Sequence, residues 1–91
     1  MIHGIVSALL RSQLRAKMAQ YQQRAEAAYA AMYDVRPPAG KDCYEDARLY
    51  LSRAIEMAER ANLAADVARL TSRRNQITEV YNRQFRRVGQ N

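Results

Sequence analysis

The stretch Val35-Arg36-Pro37-Pro38-Ala39-Gly40-Lys41-Asp42 decides the fold, because it divides the chain into two helical parts. Neither Pro37 nor Pro38 fits inside a helix, and Pro37 also disfavours helical geometry at the residue before it. Gly40 permits a tight reversal. Asp42, with another acid three residues later, forms a capping-box-like start for a new helix. The sequence therefore predicts a loop over residues 35–42 between two helices.

Before this loop, apolar residues recur at alternating spacings of four and three from Leu14 to Val35. Such spacing is typical of a helix that packs along one seam. The segment Ile2–Leu10 is also apolar and continues this helix upstream. We expect the first helix to cover about residues 2–34, which is roughly 50 Å at 1.5 Å per residue.

After the loop, a similar seam of mostly small residues runs from Tyr44 to Ala68 and then fails. A second apolar stripe starts at Leu63, so the change of stripe falls near Asn62, which can act as a helix C-cap or mark a bend. We predict an all-α single domain over residues 1–91, a long antiparallel helical hairpin. Its second arm either bends or breaks near Asn62, giving helices over about residues 43–61 and 63–88.

The composition agrees with a small helical domain. The chain has 91 residues, 48% of them hydrophobic, with three glycines, two prolines and no tryptophan. A single core of this size is marginally stable, so self-association is a reasonable expectation. Since the heptad seams are long, we predict that part of the apolar surface is buried between subunits of a homodimer.

The net charge of +6 is unevenly distributed along the chain. Residues 1–25 carry +4 with no acid, residues 26–66 carry −3, and residues 67–91 carry +5. A hairpin would bring both basic segments to one end, a basic pole that would not exist if the third helix folded back towards the loop. Such a pole attracts polyanions, so an alternative function is nucleic-acid association. The candidate polyanion-binding residues are Arg11, Arg15, Lys17, Arg73, Arg74, Arg83, Arg86 and Arg87.

A second alternative is peripheral membrane association through the first helix. Residues 1–17 combine apolar and basic side chains without an acid, as interfacial helices do. The heptad seam continues directly from this segment, however, and favours packing into a core or dimer seam. No stretch approaches the ~20 apolar residues of a membrane span.

The residue types give no catalytic site. His3 is the only histidine and has no apparent partner, while Cys43 is the only cysteine and lies among acids that oppose thiolate formation. Asp42, Glu45 and Asp46 form an acidic cluster that we interpret as helix-start charges. We expect no enzyme activity, no cofactor and no metal, and a reducing, cytoplasmic location.

The tyrosines on either side of the loop are expected to cluster at the loop end. Tyr29 and Tyr33 are one helical turn apart, and Tyr44 and Tyr50 follow the loop. Tyrosine suits both amphipathic packing and binding surfaces, and we favour packing with a polar tip over a binding hot spot.

The leading functional prediction is a non-enzymatic interaction or assembly module, similar in role to an adaptor or chaperone. It would offer a coiled-coil-type surface to a partner helix or to a second copy. The residues predicted to form this seam are Leu14, Met18, Tyr21, Leu51, Ile55, Leu70, Ile77 and Tyr81.

Overall fold

A computed structural model describes residues 2–36 and 38–85, with side chains from Ser7 onward. The backbone forms three helices: α1 spans Ile2–Ala31, α2 spans Ala39–Arg60 and α3 spans Ala64–Gln84. The described ranges contain no strand, and the predicted all-α class is confirmed.

The start of α2 corrects the predicted loop over residues 35–42, because the helix already begins at Ala39. Its N-cap is Pro38, and no side chain caps the first turn, so the prediction that Asp42 caps the helix was wrong. A proline is tolerated here because its ring restricts φ and the missing N–H is not needed at a helix start. Gly40 does not reverse the chain but lies buried in the first turn, where a Cβ would be 3.7 Å from the Met32 carbonyl oxygen.

The end of α2 is a Schellman motif centred on Asn62. The Leu63 N–H donates to the Ala58 carbonyl at 2.9 Å, and the Asn62 N–H donates to the Glu59 carbonyl at 3.1 Å. Asn62 has a φ of 57°, in the left-handed region that asparagine tolerates better than most residues. The motif satisfies the last carbonyls of α2 and turns the chain into α3.

The contacts between helices place α2 in the middle of the molecule. At one end of α2, Arg11 Nε donates to the Ala61 carbonyl at 3.2 Å, so α1 and α2 are antiparallel. Towards the other end, the Tyr44 hydroxyl donates to Thr78 Oγ1 at 3.4 Å, so α3 also runs antiparallel to α2. Helices α1 and α3 are consequently parallel, and both run towards the loop. The molecule is elongated, with principal extents of 61 × 19 × 13 Å.

The hydrophobic core is built mainly on α2. Its residues Ala47, Ala54 and Ala58 are fully buried and let α1 approach closely, while larger side chains of α1 and α3 close the core from both sides. The buried residues are Leu14, Met18, Ala25, Met32, Ala47, Leu51, Ala54, Ile55, Met57, Ala58, Ala61, Leu70 and Ile77.

Aromatic rings join the three helices at the loop end. Tyr44 of α2 stacks on Tyr81 of α3 with centroids 3.9 Å apart. Tyr33, just after α1, meets Phe85 edge-on at 5.1 Å and Tyr29 at 5.6 Å. These contacts hold the C-terminal end of α3 against the rest of the molecule.

Candidate functional site: the outer face of α1

The predicted partner seam lies largely inside the protein. Of its eight residues, Leu14, Met18, Leu51, Ile55, Leu70 and Ile77 are buried in the monomer. Tyr21 is half-buried and stacks on Tyr50 at 6.4 Å, and Tyr81 is half-buried against Tyr44. The predicted partner seam therefore forms the core of a single chain, because α3 folds back onto α2 and covers it. A partner helix would have to dock elsewhere.

The first turns of α1 extend beyond the helices that support the rest of it. Ala61, the C-cap of α2, lies beside Arg11, and Leu14 is the first buried residue among the α1 side chains that the structure describes. The segment 2–10, which we call the overhang, thus projects past the end of α2 by about 13 Å. Within it, Leu9 and Leu10 are 60% and 54% exposed. Ile2, Ile5 and Val6 are also apolar, but their side chains are not among those that the structure describes.

The exposed side of α1 carries no acid from Ser7 to Ala31. Leu10, Lys17 and Arg24 are seven residues apart and therefore share a face of the helix. Glu26 is the only acid of α1, and it faces α3, where it binds Arg73. We call this exposed surface the outer face of α1. Its members with described side chains are Leu9, Leu10, Gln13, Ala16, Lys17, Gln20, Gln23, Arg24 and Ala27.

The Glu26–Arg73 pair joins α1 to α3. Arg73 Nη2 and Nε donate to the two carboxylate oxygens of Glu26 at 2.6 and 2.8 Å. The arginine hydrogen bond lowers the pKa of Glu26 and is opposed by partial burial of the carboxyl group. The same hydrogen bond raises the pKa of Arg73. The Arg73 guanidinium also lies 5.0 Å from the Tyr29 ring centroid, so this charge is engaged within the molecule.

The other candidate polyanion-binding residues are scattered. Arg74 donates to Ser52 Oγ at 3.0 Å, Arg83 pairs with Glu79, and Arg11 binds the backbone of α2. Arg15 and Lys17 are exposed on α1. Arg86 and Arg87 lie outside the described residues.

The predicted basic pole is not formed by the described residues. Arg11 lies beside Ala61 at one end of α2, whereas Gln84, next to Arg83, accepts a hydrogen bond from Tyr33 at the other end. The reversal at Asn62 is the physical reason, since it sends α3 back towards the loop. Segments 2–25 and 67–85 therefore run in the same direction along the molecule and do not meet at one end.

A third exposed leucine lies on α2 among acids. Leu49 is 50% exposed, and Glu45 and Asp46 precede it by one turn, with Asp42 two turns before it. All three acids are exposed. We call these four residues the acidic stripe of α2. The three acids are predicted from the sequence as helix-start charges, and no role is predicted for Leu49, although the spacing 42, 45, 46, 49 already places all four on one face.

Tyr33 is the most exposed tyrosine of the loop-end cluster, yet its hydroxyl is engaged. It lies 3.2 Å from the Tyr29 hydroxyl and donates to Gln84 Oε1 at 3.4 Å. The hydrogen bond with Tyr29 raises the pKa of Tyr33 above its usual value of 10. The ring packs on Phe85, which supports the interpretation of packing with a polar tip.

The structure describes the side chain of one of the two residues considered for catalysis. The side chain of His3 lies outside the described set, and Cys43 is a half-buried free thiol in α2. No helix within the described ranges is both long and apolar enough to cross a membrane. Comparison with known protein families, curated proteins and solved structures finds no match to this chain.

Proposed function

We propose that this chain is a non-enzymatic interaction module, an adaptor or assembly subunit, which docks onto a partner through the overhang and outer face of α1. One observation carries the proposal: Leu9 and Leu10 are exposed on a helix that has extended beyond its own supporting helices. Contiguous exposed apolar side chains mark interaction surfaces. A few helical turns that pack against nothing are only marginally stable in water. A partner that covers the overhang would bury the leucines and stabilise these turns.

The charge of the outer face specifies the partner further. Lys17 and Arg24 accompany the exposed leucines, and the face carries no acid. The complementary surface is an apolar groove with acidic walls, which is the geometry of helix-in-groove recognition. Nucleic acid would satisfy the cations but would leave the leucines uncovered, so a protein groove fits the face better.

Site-specific photo-crosslinking tests this proposal. A photoreactive amino acid in place of Leu10 should give a discrete protein adduct in cells, because this position would face the partner. The matched control is Asn75, which is exposed on α3 and lies outside the proposed surface. Equal labelling at positions 10 and 75, or none at either, would contradict docking through α1.

A truncated chain provides the folding control. Removal of residues 1–8 should leave the helical melting transition within a few degrees of the intact chain, since the core begins at Leu14. The adduct formed through the outer face should nevertheless weaken. A large loss of stability would show that the overhang belongs to the core.

A further inference from the structure

We infer that the partner of the overhang is a second copy of this chain, which presents the acidic stripe of α2. This inference rests on the proposed docking role of α1. The overhang offers exposed leucines in a segment without acids, and the stripe offers exposed Leu49 among three acids. The same molecule thus carries both halves of a complementary contact.

The acids of the stripe are available to a neighbour. Among the described residues there are five ion pairs, and none of them involves Asp42, Glu45 or Asp46. Arg48 follows Glu45 by one turn, and its guanidinium lies 5.9 Å from the Tyr44 ring centroid. Cations such as Lys17 and Arg24 on another molecule would complement these carboxylates.

The charges disfavour symmetric pairing. Two outer faces of α1 would bring Lys17 and Arg24 against the same cations of the other copy. Two stripes would oppose three acids with three acids. Like charges across an interface suppress such pairings, so the favoured contact joins the overhang of one copy to the stripe of another. The two surfaces that meet in this contact are different, and each copy carries both of them.

The positions of the two surfaces prevent the overhang from contacting the acidic stripe of its own chain. Leu49 precedes Ala61 on α2 by about 18 Å of helix, and the overhang lies beyond Ala61 on the far side. Because α1 is one continuous helix, the overhang cannot fold back onto the stripe of its own chain. A docked pair either repeats the contact reciprocally, which closes a two-fold dimer, or leaves one overhang and one stripe free, which gives an open chain or a closed ring.

Two complementary variants test this arrangement. The donor variant carries Leu9→Ser and Leu10→Ser, and the acceptor variant carries Asp46→Lys and Leu49→Ser. Sedimentation velocity from about 1 µM to about 1 mM should show a mass that rises with concentration for the intact protein. Each variant alone should stay monomeric. An equimolar mixture should form a heterodimer and nothing larger, because it retains one intact overhang and one intact stripe.

Two controls separate this result from a change in folding or in general charge. All the substituted side chains are exposed, so both variants should keep the thermal unfolding curve of the intact protein. Glu59→Lys, at an exposed acid of α2 outside the stripe, should associate like the intact protein. Association of the intact protein should weaken when salt is raised from about 50 mM to about 500 mM, which screens the complementary charges.

Several results would overturn the inference. These are an intact protein that stays monomeric throughout, variants that self-associate alone, or a mixture that stays monomeric. A monomeric protein that binds anionic vesicles through Leu9 and Leu10 would assign the overhang to a lipid surface. If the protein is monomeric but position 10 still crosslinks to a different protein, the proposed docking role stands and the homotypic partner is rejected. A monomer without any adduct rejects both.

Discussion

At the scale of single residues, the Glu26–Arg73 pair gives a pH-dependent prediction. The pKa of Glu26 is lowered in the folded protein, mainly by the arginine hydrogen bond. The pair therefore stabilises the fold above the ordinary carboxyl pKa, and this stabilisation is lost as pH falls through the lowered value. We expect Glu26→Gln to reduce the free energy of unfolding by about 1 kcal/mol near pH 7, discounted because both side chains are partly exposed. Urea denaturation across the acid range should show the difference disappear.

The exposed pair Glu79–Arg83 is the matched control for that measurement. Its side chains are 70% and 71% exposed, and its i, i+4 spacing joins residues of the same helix. Glu79→Gln should therefore change the free energy of unfolding by less than Glu26→Gln. A Glu26→Gln effect that persists unchanged in strong acid would point to packing and would exclude the ion pair as its cause.

The sequence was informative about single residues where one backbone conformation dominates. Asn62 stood out because the apolar stripe changes there, and the structure gives it a left-handed φ. The cap predicted at Asp42 was wrong, because an acid near a helix start suggests a cap even when Pro38 occupies that position. Propensity identifies which residues favour helix ends, but the neighbouring backbone decides which of them is used.

At the scale of helices, the attachment of α3 depends on Tyr81. Its ring lies 3.9 Å from Tyr44 and 6.2 Å from Phe85, in stacked arrangements. We expect Tyr81→Ala to reduce the free energy of unfolding by about 2 kcal/mol, because a half-buried ring and its stacking are lost. Amide hydrogen exchange should accelerate most in the C-terminal half of α3.

Tyr33→Ala serves as the comparison for Tyr81→Ala. Tyr33 is more exposed and contacts Phe85 by its edge, so its removal should cost less and leave the exchange of α3 nearly unchanged. Equal effects of both substitutions would mean that the cluster acts as a single unit and that the Tyr44–Tyr81 stack has no special role.

Helical periodicity predicted which side chains are buried but not which helix buries them. Leu70 and Ile77 are fully buried, and so is Leu51 of α2. A stripe of apolar residues has the same sequence pattern whether it packs within one chain or between two chains. Most residues of the predicted partner seam are buried within a single chain in this structure.

At the scale of the whole molecule, the charge layout predicts weak nucleic-acid binding. The basic segments run along the molecule, and Arg73 and Arg83 are paired with acids. We expect affinity for labelled mixed-sequence nucleic acid to be weaker than micromolar at about 200 mM salt, even if contacts appear at about 50 mM. Micromolar binding at the higher salt that is lost in Arg15→Glu with Lys17→Glu would instead favour the nucleic-acid alternative.

The distribution of charge along the chain was readable from the sequence, but its arrangement in space was not. Both basic segments are present as counted. Whether they meet depends on one reversal at Asn62, where a few hydrogen bonds set the direction of a helix of 21 residues. A local bend and a full reversal are both compatible with the same change of apolar stripe. A bend would bring the two basic segments to one end of the molecule, whereas a reversal keeps them apart.

The central position of α2 has a consequence for how the chain reaches its native state. Each of the two outer helices is connected to α2 by a short segment, residues 32–38 on one side and 61–63 on the other. Almost all of the helix packing is therefore between neighbours along the chain, which makes the contact order low. Refolding should then proceed on the order of microseconds to milliseconds. A newly synthesised chain would spend little time with its core exposed, and the leucines of the overhang would be among the apolar side chains that stay exposed after folding is complete.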